Sequence, residues 1–134
     1  LILLLKQNHI DTLNEESHRA YPIEACGILF GEKFKERAHI RKIIITTNKL
    51  QSSTRFEISP EEVVEAFSKA KKEGFEFIGF FHSHQRSPSP SSIDLKYMKL
   101  WGNAFWVIFS ITNNCLTAFQ IKKGKVVEIP LQVE

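Results

Sequence analysis

An α/β domain with a mixed, mostly antiparallel sheet flanked by about three helices is the fold class that the sequence predicts, on three observations. Short apolar runs rich in Ile, Leu, Val and Phe recur between turn-forming residues. Two longer segments carry apolar residues at helical spacing, one of them bracketed by an N-cap and a glycine stop. Strands then crowd the last third of the chain. At 134 residues the chain has the size of one domain, so residues 1–134 are read as a single unit around one hydrophobic core.

The opening Leu1-Ile2-Leu3-Leu4-Leu5 is too short before Lys6 to be a membrane span or the apolar region of a signal peptide, and it reads as a strand. Asn8 to Ala20 sets Ile10, Leu13 and Ser17/His18 at helical spacing and ends ahead of Pro22, whose ring pushes the preceding residue away from helical backbone. Ala25 to Gly31 and Ala38 to Thr47, the latter with Ile40, Ile43, Ile44 and Ile45, are expected as strands, and Asn48 to Thr54 as a polar loop. The clearest helix punctuation follows. Ser59 is the N-cap, Pro60 takes the first helical position, Glu62 closes a capping box, Val63, Val64 and Phe67 form the buried face, and Gly74 stops the helix. Phe75 to Phe81 leads as an apolar strand into His82. Ser91 or Ser92 then caps a short helix over Ile93 to Leu100, and Gly102-Asn103 breaks it. Three strands end the chain, Phe105 to Ile111, Leu116 to Ile121 and Val126 to Val133, joined by turns at Thr112-Asn113-Asn114 and Lys122-Lys123-Gly124.

A hydrophobic share of 43% with 25% charged residues excludes a disordered or collagen-like chain. Net charge is +3, with basic residues gathered only at Lys69/Lys71/Lys72 and Lys122/Lys123/Lys125. A nucleic-acid footprint needs a denser stripe and an accompanying motif, so neither nucleic acid nor a membrane is expected as a partner. Two cysteines make no disulfide framework and no zinc ribbon, which fits a reducing, cytoplasmic setting. Cys26 reads as a small buried residue, and pairing with Cys115 would require the fold to bring the two together.

Residues 82–94, HSHQRSPSPSSID, concentrate the chemistry. Side chains alternate across a strand, so His82 and His84 share a face with Cα atoms roughly 6.5 Å apart, a spacing that suits one zinc ion. Asp94 supplies a third ligand once the Ser/Pro loop turns back, leaving the fourth tetrahedral position to water, as a catalytic zinc requires. Ser91-x-x-Asp94 also reads as a variant capping box. The two readings are compatible, because capping can hold Asp94 in the rotamer that reaches the metal. His9, His18 and His39 are isolated and are expected to be structural or surface residues. A metal-activated water still needs a proton acceptor, and Glu24, in Tyr21-Pro22-Ile23-Glu24-Ala25-Cys26-Gly27 just before an apolar strand, is the candidate. Its carboxylate is expected to be partly desolvated, with raised proton affinity.

Together these residues resemble the JAMM (MPN-plus, Mov34/PAD-type) metalloproteases, whose pattern is a glutamate before a Cys-Gly strand, then His-Ser-His, then Ser-x-x-Asp. The matching residues are Glu24, His82, Ser83, His84, Ser91 and Asp94, and the resemblance runs through YPIEACGILFG, the capped helix at 59–73, GFFHSH and DLKYM. It implies a cytidine-deaminase-like α/β/α sandwich with zinc bound by His82, His84 and Asp94. It also implies Glu24 as general base and then proton donor to the leaving amine, and Ser91 as hydrogen-bond donor to the oxyanion. Two departures stand out: Gln85 replaces the family's usual proline, and six residues separate His84 from Ser91 where seven are common.

Relatives that cleave linked ubiquitin chains carry an insertion between the metal-binding aspartate and the next strand. Here Asp94 leads through a short helix straight into Phe105, so the resemblance is to a minimal, prokaryotic-type member. The function it implies is zinc-dependent hydrolysis of a peptide or isopeptide bond at the C-terminal tail of a ubiquitin-like or sulfur-carrier protein, the tail adding as a strand at a sheet edge. A homodimer is left open. A non-catalytic MPN scaffold would lack metal ligands, and all are present here. A zinc hydrolase of small amides or nucleobases is the other alternative, but the HxE…PCxxC signature of base deaminases is absent. Tyr97, Trp101 and Trp106 read as core or interface residues.

Overall fold

Each apolar run becomes a strand of one sheet in the computed structural model, which describes all 134 residues. In chain order the elements are β1 (Ile2–Leu5), α1 (Gln7–Ala20), β2 (Cys26–Phe34), β3 (Arg37–Thr46), α2 (Pro60–Lys72) and β4 (Glu76–His84). They continue with α3 (Ser92–Met98) and a 3-10 turn at Lys99–Trp101, then β5 (Phe105–Ser110), β6 (Cys115–Lys122), β7 (Lys125–Glu128) and β8 (Leu131–Val133). The strand order is β7-β6-β5-β4-β2-β3-β1-β8. Pairs β4–β5, β1–β3 and β1–β8 are parallel and the rest antiparallel, the mixed sheet expected from the sequence.

Val126 to Val133, expected as one strand, is two. Pro130 has no N–H and cannot continue a ladder. Its carbonyl instead accepts from Leu3 N–H at 3.0 Å, while Ile129 N–H donates to the Ala118 carbonyl at 2.8 Å and the Ile129 side chain is buried. β7 therefore ends one edge of the sheet and β8 begins the other. Only Ile129 and Pro130 lie between them, and extended chain advances at most about 3.6 Å per residue, so the two edges approach within about 11 Å. The sheet must curl upon itself.

Helices cover both faces. α1 sets Leu13 and Ser17 into one face, among Leu3, Leu5, Leu29, Phe81 and Val107. α2 and α3 cover the other, with Ala66, Ala70 and Met98 against Ile28, Phe30, Phe80 and Ile108. The single core expected from the length is thus divided by the sheet into two clusters, the packing of an α/β/α sandwich. Each fully buried Leu, Ile or Phe contributes about 1.5–3 kcal/mol of transfer free energy.

The α2 face also differs in detail. Val63 and Phe67 pack against the core with Ala66 and Ala70, but Val64, one residue or 100° around the helix, is 69% exposed. Ser59 Oγ accepts from Glu62 N–H at 3.3 Å, whereas the Glu62 carboxylate takes Thr47 N–H at 3.1 Å instead of closing the box. The isolated histidines have structural partners. His9 Nδ1 accepts from Lys6 N–H, His18 meets Phe109 edge-on, and His39 pairs with the Glu134 carboxylate. Both cysteines are free, Cys26 buried and its thiol pushed up to about 11 by burial. No helix is long and apolar enough to cross a membrane.

Gly79 decides how closely β4 approaches β5, because a Cβ built there falls 1.9 Å from the Phe105 carbonyl oxygen. Backbone, unlike the end of a side chain, cannot swing away. Gly79→Ala is expected to destabilise the fold by about 1–3 kcal/mol, read as a lower midpoint in urea unfolding; an unchanged midpoint would contradict that packing.

Candidate metal centre

β4 ends in His82 and His84, both on the α2/α3 face of the sheet by the alternation that also directs Phe80 there. Between them Ser83 points to the opposite side and bonds the adjacent strand twice. Its Oγ accepts from Ala25 N–H at 2.8 Å and its N–H donates to the Ala25 carbonyl at 3.0 Å. With Cys26 paired to His82 in the ladder, this fixes Glu24 beside the histidines.

The convergence is tight. His82 Nε2 and His84 Nε2 are 3.0 Å apart, and Asp94 Oδ2 lies 3.0 Å from the first and 3.1 Å from the second. Glu24 Oε2 stands 3.9 Å from His84 Nε2, and Glu24, His82 and His84 form a buried group whose ligand atoms all lie within 4.8 Å of one another. Two donor atoms about 2.0–2.1 Å from one tetrahedral zinc are separated by roughly 3.3 Å, so the His82–His84–Asp94 triangle has the dimensions of three ligands of one ion. The donor chemistry agrees. His84 Nδ1 faces the Ser87 carbonyl at 2.9 Å, an acceptor only, which puts the proton on Nδ1 and leaves the Nε2 lone pair directed into the triangle.

Asp94 serves two purposes through one oxygen. Oδ2 accepts from Ser91 N–H at 2.9 Å, Ser91 Oγ accepts from Asp94 N–H at 3.1 Å, and the same Oδ2 faces both imidazoles. Capping therefore fixes the rotamer, and the cap is Ser91, with Ser92 the first helical residue. The six-residue loop between His84 and Ser91 is tied down at successive carbonyls. Thr112 N–H donates to that of Gln85 at 2.9 Å, Ser110 Oγ and Asn113 Nδ2 donate to that of Arg86, and Thr117 Oγ1 donates to that of Pro88 at 2.6 Å. Gln85 itself donates through Nε2 to the Pro22 carbonyl at 3.1 Å, linking the loop to the segment that carries Glu24.

Burial dominates the electrostatics. Glu24 is only 4% exposed, its Oε1 has no hydrogen-bond partner, and burial pushes its carboxyl up to about 7. Burial would also raise Asp94, but the His82 and His84 imidazoles beside it and the Ser91 N–H outweigh burial and hold the carboxyl well below the usual range. Burial lowers His82, whose Nδ1 is also unpartnered beneath the stacked ring of Phe56. For His84 burial acts in the same sense, yet the Asp94 and Glu24 carboxylates reverse it and raise its proton affinity.

Two residues that sequence reasoning passed over hold this arrangement. Asn48, counted within a polar loop, is buried and donates through Nδ2 to the Glu24 and Arg55 carbonyls at 3.1 and 3.0 Å, while its Oδ1 accepts from Leu50 and Glu57 N–H. Phe56 stacks on His82 with ring centroids 4.6 Å apart. Neither tie to the site has a spacing signal, because Glu24 and His82 lie on other elements than Asn48 and Phe56.

A buried imidazole pair and two carboxylates meet at the end of a central strand in a curled α/β/α sheet, a donor set that can hold a metal ion. The model of the prokaryotic homologs of the JAB domain matches residues 6–122. The chain belongs to that family, the prokaryotic branch of the JAMM enzymes. It is 34% identical over 113 residues to the desampylase of Pyrococcus furiosus, covering 84% of this chain and 77% of that one. It is 31% identical over 74 residues to the desampylase of Haloferax volcanii, covering 54% and 52%. Among solved structures, a Desulfitobacterium hafniense protein superposes with a TM-score of 0.89 at 26% identity over 98% of this chain and 92% of that one. A Salinibacter ruber protein shares the fold, with a TM-score of 0.74 at 23% identity over 97% and 90%.

Two outcomes follow. Asn48→Ala strands the Glu24 and Arg55 carbonyls and is expected to destabilise the protein by about 1–3 kcal/mol in chemical denaturation. In the metal-free protein Glu24 holds its proton to about 7, against 4.5 when unfolded, so the stability it contributes is present below about 4.5 and is lost as pH rises through 7. Glu24→Gln should therefore raise the melting temperature more at pH 8 than at pH 5; an equal effect at both would indicate an ordinary carboxyl.

Proposed function

We propose that the chain is a zinc-dependent JAMM isopeptidase, a metallopeptidase that hydrolyses the peptide or isopeptide bond after the C-terminal tail of a ubiquitin-like or sulfur-carrier protein. The observation that carries this reading is the triangle of His82 Nε2, His84 Nε2 and Asp94 Oδ2 with the Glu24 carboxylate just outside it, 3.9 Å from His84. The two desampylase relatives support the same reaction and substrate class.

His82, His84 and Asp94 would hold the metal, and Glu24 stays free for proton transfer. Zinc bound there supplies a Lewis acid and lowers the pKa of water. Glu24 accepts the proton of the attacking water and returns it to the leaving amine, roles suited to a buried carboxyl whose Oε2 stands 3.9 Å from His84 Nε2. Ser91 Oγ accepts from Asp94 N–H, which leaves its own O–H to donate to the developing oxyanion. The Ser87 carbonyl and the Ser91 cap orient His84 and Asp94, so little reorganisation is needed as charge develops. Residues 1–134 act as one domain, and the two free cysteines support a reducing, cytoplasmic setting.

Wild-type protein purified with metal present is expected to carry about one zinc per chain by elemental analysis, and His84→Ala to lose it. Glu24→Ala should keep the zinc while cleavage of a ubiquitin-like protein fused through its tail to a reporter falls by about 10²–10⁴-fold. Zinc-free wild type, or a Glu24→Ala variant of undiminished activity, overturns the reading.

A further inference from the structure

Four cations gather at the end of the sheet remote from the metal centre. β1 runs toward that centre alongside β3, pairing Ile2 with Arg37 and Leu4 with His39, and α1 begins only after it, at Gln7. The helix therefore covers the half of its face nearer the metal, where His18 meets Phe109. At the other end a cavity of about 300 Å³ is lined by no helical residue. Ala38, Phe105 and Gln120 are its buried floor, and exposed Lys33, Lys35, Arg37 and Lys122 are its rim. β5 advances about 17 Å from Phe105 to Ser110, the ladder partner of His84, which separates the cavity from the metal centre. No carboxylate lines the cavity, and none of the four cations forms an ion pair, although Arg41, Lys42 and Lys49 elsewhere all do. The acidic groups of the neighbouring strands are turned to other partners: Glu32 to Arg41 at 3.6 Å, Glu36 to the Leu1 amino group at 3.7 Å and Glu76 to Lys33 N–H at 3.1 Å. The chain's whole positive excess is +3, so these four cations leave the rest of the molecule slightly acidic. On the floor, Gln120 Nε2 donates one hydrogen to the Asn103 carbonyl at 2.7 Å and has a second to offer.

We propose that this cavity binds a short phosphate chain, the group common to inorganic di- and triphosphate and to nucleotide tails. Like charges brought together repel, and a multiply charged anion held among them replaces that repulsion with attraction. Arg37 offers a planar fork for two phosphate oxygens, the lysines offer point charges on flexible stems that can close over the anion, and Gln120 offers a neutral donor beneath it. The hollow favours a compact anion over an acidic peptide or a nucleic acid, which need an extended stripe. The separate basic run at Lys69, Lys71 and Lys72 lies on α2, across the sheet, and does not extend the rim into one. The cavity's volume falls at the low end of the roughly 300–1,000 Å³ of small-ligand sites. This site shares no residue with the metal centre and does not depend on the isopeptidase reading.

The test is an NMR titration of the isotope-labelled full chain, purified with zinc present, against sodium triphosphate, ATP, inorganic phosphate, an oligoglutamate peptide and a single-stranded oligonucleotide. Triphosphate is expected to move the amide signals of Lys33, Lys35, Arg37, Gln120 and Lys122 and to leave those of His82 and His84 in place. It should bind about tenfold or more tighter than inorganic phosphate, and weaken by about tenfold in Lys33→Gln/Lys122→Gln and in Lys35→Gln/Arg37→Gln, all at exposed positions that tolerate exchange. Affinity should also fall steeply between about 0.05 and 0.5 M NaCl. ATP binding equal to that of triphosphate marks the free chain as ligand, and tighter ATP binding marks a nucleotide. The site is overturned by still signals at the cavity, by movement confined to His82 and His84, which would mark withdrawal of zinc, or by affinity that survives both double substitutions. Inorganic phosphate binding as well as triphosphate, or tighter binding of the peptide or oligonucleotide, overturns it equally.

Discussion

The double hydrogen bond between Ser83 and Ala25 is the contact on which the site depends. The two histidines need only β4 to be near one another, since alternation guarantees that. The carboxylate of Glu24 arrives from the segment leading into β2, and its distance from His84 is set by the register of β2 against β4. A one-residue slip would turn either the histidines or the glutamate segment to the wrong face. Ser83 locks that register at the end of the strand, where the ladder would otherwise fray, with a side chain directed away from the chemistry. The serine between two histidines is thus a register pin as well as a spacer.

The site gathers two imidazoles and two carboxylates out of water, an arrangement with unequal consequences for its members. Asp94 is compensated by both histidines and by the Ser91 cap, so its charge is held at little penalty. Glu24 has no such compensation: one oxygen is unpaired and the carboxyl shifts to about 7. Neighbouring carboxyls thereby differ in proton affinity, Asp94 held as an anion and Glu24 raised by burial. The polar loop after β3 contributes to both. Asn48 fastens the Glu24 backbone, and Phe56 from the same loop covers His82 and opens onto an apolar cavity. The buried His/carboxylate cluster and the neighbouring surface are shaped by one segment.

The departures from the family pattern have a local explanation. Proline after His-Ser-His would stiffen the loop through its fixed φ. Gln85 achieves rigidity by hydrogen bonding, to the Pro22 carbonyl on one side and from Thr112 on the other, while Ser110, Asn113 and Thr117 hold the following carbonyls. Residues at and beside the β5–β6 turn thus hold the loop through its carbonyls.

Features that rest on local periodicity were legible in the sequence. The Ser59-Pro60 helix start, the His-x-His strand end and the Ser91–Asp94 cap each involve residues within a few positions of one another, so spacing alone placed them. Glu24 was legible as a candidate through its motif, but its proximity to His84 was not, because the pairing of β2 with β4 spans 58 residues between Ala25 and Ser83. The same limit hid Asn48 and Phe56, the exposure of Val64, and the division of Val126 to Val133 into strands at opposite edges of the sheet. The sequence by itself determined which groups could do chemistry and which side of their own element they occupy, since those follow from bond geometry along a few residues. Only the tertiary structure decided which groups meet, how deeply they are buried and how their charges shift, because those depend on strand register, sheet curvature and the exclusion of water by distant parts of the chain.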